Sequence, residues 1–167
     1  ASENNNGIFV LGESAVTNSG TASGGEGGAG IYAYGDDNTI TNSGTATGAG
    51  FGILALGSGN TITNSATATA TGVLGIVAAG SDNTIINSGT ATGGSYGIAA
   101  DGDNNKITNS GTATGGSYGI LADGSGNTIT NSGTATGIAG IAIGVFSPSD
   151  NNTITNSGTA TGVQYGI

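Results

Sequence analysis

In Gly-Ile-Leu-Ala-Leu (52–56) inward and outward positions alternate, with apolar residues on both; in Asn-Thr-Ile-Thr-Asn (60–64) and Thr-Ala-Thr (67–69) apolar residues enter singly between polar ones. A period of two marks an extended strand with one face buried. No apolar stripe of period 3.6 occurs, and Thr, Gly, Asn and Ser dominate, so helix is disfavoured. Between the first two strands stand Gly-Ser-Gly, Gly-Asp-Asp or Gly-Ser-Asp, residue types that accept the left-handed backbone of tight turns.

The strands recur. An Asn-Ser pair returns at Asn18, Asn42, Asn64, Asn87, Asn109, Asn131 and Asn156, in steps of 24, 22, 23, 22, 22 and 25 residues. A Gly-Ile pair opens each unit at Gly7, Gly30, Gly52, Gly75, Gly97, Gly119 and Gly140, and begins an eighth at Gly166. Seven units in phase predict an all-β fold: one parallel β-solenoid over residues 1–167, with about seven rungs of ~22 residues and no second domain.

Parity assigns the columns of the rung. The first strand turns in Ile8, Ile31, Ile53, Ile76, Ile98, Ile120 and Ile141, then Val10 and its equivalents two residues on. The second strand supplies Val16, Ile40, Ile62, Ile85, Ile107, Ile129 and Ile154. The third supplies Ala22, Ala46, Ala68, Ala91, Ala113, Ala135 and Ala160. So few side chains cannot offset the entropy of ordering a rung, so stability has to come from stacking. The column Asn18 to Asn156 shares the inward parity and is expected to form a hydrogen-bonded ladder rather than a ligand site. A second column, Asn38, Asn60, Asn83, Asn105, Asn127 and Asn152, sits at a turn, where left-handed backbone is the expectation. Phe51, Leu74, Tyr96, Tyr118 and Tyr165 read as a partial aromatic stack that packs a corner, with sugar stacking as the alternative.

Charge narrows the functions. Lys106 is the only basic residue against ten carboxylates, for a net charge of -9. Such a surface repels nucleic acid and anionic lipid. No apolar run is long enough to span a bilayer. The absence of Cys excludes disulfides and thiolate metal sites.

Units such as Ser-Gly-Asn-Thr-Ile-Thr-Asn-Ser-Gly-Thr-Ala-Thr-Gly (125–137), followed by a Gly-Ile strand, resemble repeats in the passenger regions of bacterial autotransporter-type surface proteins. The likeness covers nearly the whole chain. It implies a right-handed β-helix, export to the bacterial cell surface or beyond, and roles in adhesion, aggregation or display. The chain lacks that family's C-terminal membrane barrel and an amphipathic capping helix, which suggests an excised segment or a free-standing protein. Some parallel β-helix proteins cleave polysaccharides, and Asp101 and Asp123 fall at equivalent positions, about 4.8 Å apart across two rungs. With no Arg or His beside them, no catalytic residue is assigned and the protein is not expected to be an enzyme. No cofactor is expected. The loops Asp36-Asp37-Asn38 and Asp101 to Asn105 offer oxygen ligands for Ca²⁺ but lack calcium-loop spacing.

Two binding surfaces emerge. Phe9, Tyr32 and Leu54, with Leu11, Tyr34 and Leu56 beside them, make the N-terminal half of the first strand's outer face apolar, a surface for self-association. The alternative is that Gly24 to Gly28 fold over it. Tyr165-Gly166-Ile167 begins another rung that Ala1 to Asn6 of a second copy would help complete, giving a head-to-tail homopolymer. A carbohydrate or host surface is the other partner considered. The second surface is a threonine array that resembles the flat faces of β-solenoid antifreeze proteins. Its residues are Thr45, Thr47, Thr90, Thr92, Thr112, Thr114, Thr134 and Thr136, with Thr159 and Thr161. A sister array on the second strand is broken at Ile86 and Lys106.

Overall fold

The computed structural model describes residues 5–146 and 149–167, so Ala1 to Asn4 of the expected end contact lie outside the described residues. Every described element is a strand and the strand pairings are parallel, forming a β-solenoid of about seven turns. The second strands stack in chain order, from Ala15–Asn18 to Thr153–Asn156, into a seven-stranded sheet. The first and third strands together form an eleven-stranded sheet. In three places a third strand continues into the next first strand, as Thr69–Ala79, Thr90–Asp101 and Thr134–Ile143.

Stacking is in register, residue upon equivalent residue. Ile53 pairs Ile76, Ile85 pairs Ile107 and Asn87 pairs Asn109. Each inward column therefore becomes a continuous core, in which Ile31, Ile53, Ile76, Ile98 and Ile120 are fully buried beside Ile40, Ile62, Ile85, Ile107 and Ile129. The β-branched side chains suit this pleated stacking. Gly52 shows why a glycine precedes each of these isoleucines. A Cβ there would stand 2.4 Å from Thr71 N and 2.6 Å from Gly75 O, because the third strand's backbone passes directly against this corner. After the first strand the chain reverses through Gly57 at φ +128°, a conformation open to glycine.

The third rung departs from the sequence reading. Ala70, not Ala68, completes the alanine column, pairing with Ala46 on one side and Ala91 on the other. The strand is Thr69–Thr71 and its continuation, not Thr67–Thr69. Ser65 to Ala68 instead make a widened corner, closed by a hydrogen bond from Ala68 N to Ser65 O, and Ala68 O takes the bond from Thr90 N that a corner glycine accepts elsewhere. Two extra residues are thus absorbed outside the core without breaking a column.

Candidate interaction surfaces

The seven asparagines after the second strand form a ladder with a direction. Asn18, Asn42, Asn64, Asn87, Asn109 and Asn131 each donate from Nδ2 to Oδ1 of the next, at 2.7–2.9 Å. The same Nδ2 reaches a backbone carbonyl of the following third strand, Thr112 O for Asn87. Asn156 has only Gly158 O for its Nδ2 among the described residues and is exposed.

The turn asparagines form a second ladder, which corrects the expectation for them. The left-handed residue is the one before, as in Asp37, Asp82, Asn104 and Asn151. Asn38, Asn60, Asn83, Asn105 and Asn127 are buried, and each but the first accepts the backbone N–H of its predecessor on Oδ1, at 2.7–2.9 Å. A buried amide that satisfies the neighbouring turn is a structural post. The carboxylates weighed as calcium ligands do similar work. Asp36 accepts Ser58 N and Asp103 accepts Ser125 N, and no group of three or more metal-ligating side chains occurs among the described residues.

The outer face of the first strands is less open than the sequence suggested. Leu54, Val77, Ala99 and Leu121 point outward yet are nearly buried, forming a second apolar cluster with Phe51, Leu74, Tyr96 and Tyr118. The aromatic corner residues lean over this column, so Leu54 is not available as drawn from the sequence. Of the proposed self-association set, Leu11 (63% exposed) and Tyr34 (54%) are open, and Phe9, Tyr32 and Leu56 are partly buried. The Phe9 and Tyr32 rings meet at 5.2 Å, tilted by 44°, and burial, aided by Tyr34, pushes the Tyr32 phenol above its ordinary value. The loop Gly24 to Gly28 flanks Tyr32, Phe51 and Leu54 around a depression of about 340 Å³. Asp101 and Asp123 are paired in register as expected, but only Asp101 is exposed. Asp123 is buried and accepts the N–H of Phe146, whose ring meets Tyr118 edge-on at 6.3 Å. Phe146 stands in the lengthened turn of the last rung: ten positions separate Ile143 from Thr153, against six from Ala122 to Thr128 in the rung before, four residues more, and the step of 25 to Asn156 is its trace in the sequence.

The threonine array is more complete than the sequence indicated. Once Thr69 and Thr71 take their places, two outward columns run unbroken through all seven third strands, from Thr21 to Thr159 and from Ser23 to Thr161. The missed signal is Thr-Ala-Thr-Gly, which recurs at 69–72 as it does at 90–93 and sets the phase within an otherwise ambiguous Thr-Ala run. At the far end, Gly166 O accepts Ile141 N, and Ile167 is exposed beside Ile143, Ile154 and Tyr165. No protein-family model matches the chain, and comparison with curated proteins and with solved structures gives no significant match.

Proposed function

We propose that this protein is an extracellular structural and adhesive β-solenoid that continues head to tail into filaments or a surface fibre. The observation that carries this reading is the direction of the asparagine ladder. Each Nδ2 from Asn18 to Asn131 donates toward the following rung, so one side of a rung offers donors and the other side acceptors. The Ile, Ala and Asn columns keep one register from rung to rung, so each rung complements any other, whether the next comes from the same chain or from a second copy. Docking in the same sense pairs donor with acceptor; the opposite sense brings like groups together. Such a heterologous contact does not close on itself and grows as a filament.

The surface location rests on the likeness of the repeats to autotransporter passengers. The charge of -9 suits a rod that stays soluble along its sides and joins through its ends. Leu11 and Tyr34, exposed beside each other's rung, supply an apolar patch for lateral or adhesive contact. The test is electron microscopy with sedimentation over a wide concentration range. The expected result is fibres with an axial repeat of about 34 Å, seven rungs at about 4.8 Å each. Ile154→Asp, at a half-covered core position, should leave short rods. A protein that sediments as a monomer at every concentration, without fibres on long incubation, overturns the reading.

A further inference from the structure

The third-strand face has the chemistry of a lattice template, and we propose that it binds ice. Three properties converge on it, none of which depends on filament growth.

The first is two-dimensional order. Two columns, thirteen threonines and one serine, stand in register on consecutive parallel strands. Threonines recur about 4.8 Å apart from rung to rung along the axis, and the two columns stand about 6.7 Å apart along each strand. Each threonine position presents one hydroxyl and one methyl, the pair of groups that can hold water in hydrogen-bonded cages against an apolar floor.

The second is that these hydroxyls are free. No threonine Oγ1 on this face donates to or accepts from another described residue, and none of these side chains is buried. The parallel sheet and the asparagine ladders make their hydrogen bonds without these hydroxyls. The side chains are β-branched and sit on a hydrogen-bonded sheet, so little rotamer freedom is lost when a lattice docks.

The third is the absence of charge. None of the ten carboxylates, nor Lys106, falls within the Thr-x-Thr segments; Asp101 ends the continuous strand Thr90–Asp101, in its first-strand part, nine residues beyond Thr92. An ion on a flat face would hold its own hydration shell and spoil registry with ice. The seven-stranded sheet supplies an internal contrast. Its outward columns begin with the same Thr-Ile-Thr chemistry but are interrupted by Ala15, Ile86 and Lys106, so no more than two consecutive rungs keep both threonines. A face selected only for β-propensity would have no reason to be clean on one side and broken on the other.

The experiment uses the full chain, held at a concentration where sedimentation gives one species, and measures thermal hysteresis, ice-crystal shaping and partition into a slowly grown ice front. Thr112→Tyr with Thr134→Tyr should abolish all three, with the circular dichroism of the β fold unchanged. Thr108→Tyr with Thr130→Tyr, on the interrupted sheet, should leave them intact. The idea is overturned if the unaltered protein neither shapes crystals nor enters ice, or if both double variants lose activity alike. Retention on crystalline cellulose or chitin with no ice uptake also overturns it, since the lattice bound would then be a polysaccharide.

Discussion

Replacing Asn87 with Ala tests whether the ladder is a cooperative spine or a row of independent amides. Asn87 is fully buried. Its Nδ2 donates to Asn109 Oδ1 at 2.8 Å, to Thr112 O at 3.1 Å and to Gly89 O at 3.2 Å, while its Oδ1 accepts from Asn64 Nδ2 at 2.8 Å. The substitution removes two amide-to-amide ladder bonds, each worth about 1 kcal/mol net, along with the bond to Thr112 O, and strands Asn109 Oδ1 in the core at a cost of about 1–3 kcal/mol. These terms overlap, and a loss of about 3 kcal/mol is expected. Asn18→Ala also strands an acceptor, Asn42 Oδ1, but breaks one ladder bond instead of two. Asn156→Ala strands none, because Asn131 Nδ2 keeps Gly133 O and Thr159 O, and should cost about 1 kcal/mol or less. The order Asn87, then Asn18, then Asn156 is a consequence of the ladder's direction. Urea unfolding followed by circular dichroism reads it from midpoints, provided the slopes agree among variants, since an array that frays would change the slope. Equal losses at the three positions, or Asn156 exceeding Asn18, would refute a directional ladder.

Two further outcomes follow from the packing. Gly111→Ala places a Cβ 2.1 Å from Gly89 O and 2.5 Å from Ser88 C, so a backbone must move, at a cost of about 1–3 kcal/mol or more; Gly20→Ala, its equivalent in the first rung, meets nothing within 4 Å and should stay within about 0.5 kcal/mol of the parent in the same urea assay. Because the Tyr32 phenol is raised in the folded state, first by burial and then by Tyr34, its contribution to stability is complete below the ordinary tyrosine value near ~10 and is lost as pH climbs through the raised one. Tyrosinate absorbance should show a late-titrating component that disappears in Tyr32→Phe, and a titration curve unchanged by that substitution beyond the loss of one ordinary phenol would contradict this.

Much of this architecture was legible because a solenoid writes each column once per rung. Parity alone located the Ile, Ala and first Asn columns, and repetition averaged out local ambiguity. It failed where a rung departs from the average. In Ser65 to Thr71 the run Ala-Thr-Ala-Thr-Ala-Thr has two equally good phases, and the extra residues shift the one that stacks. The second Asn column was assigned to turn geometry because its residue type suits two roles, and only the three-dimensional stack separates the left-handed residue from the buried one after it. The outward Leu54 column looked exposed since parity knows nothing of how far Phe51 and Tyr96 lean across their own strand. Phe146 belongs to no column at all, so no repeat could have pointed to its place over Asp123.

No amide of the ladder reaches beyond the next rung: its partners are a carbonyl of its own turn, two residues on, and groups 22 to 28 residues along the chain. That short reach has a mechanical consequence. A rod pulled along its axis cannot share the load among distant segments, so the terminal rung bears it until its own bonds shear. Once freed, a rung of about 22 residues lengthens from about 4.8 Å to some ~75 Å of extended chain. The next rung then faces the same force with the same set of bonds. Tension is therefore released in near-equal steps at a near-constant threshold, and the remaining rungs stay folded. A surface anchor made this way would yield gradually under drag and rewind from the intact end when the pull stops.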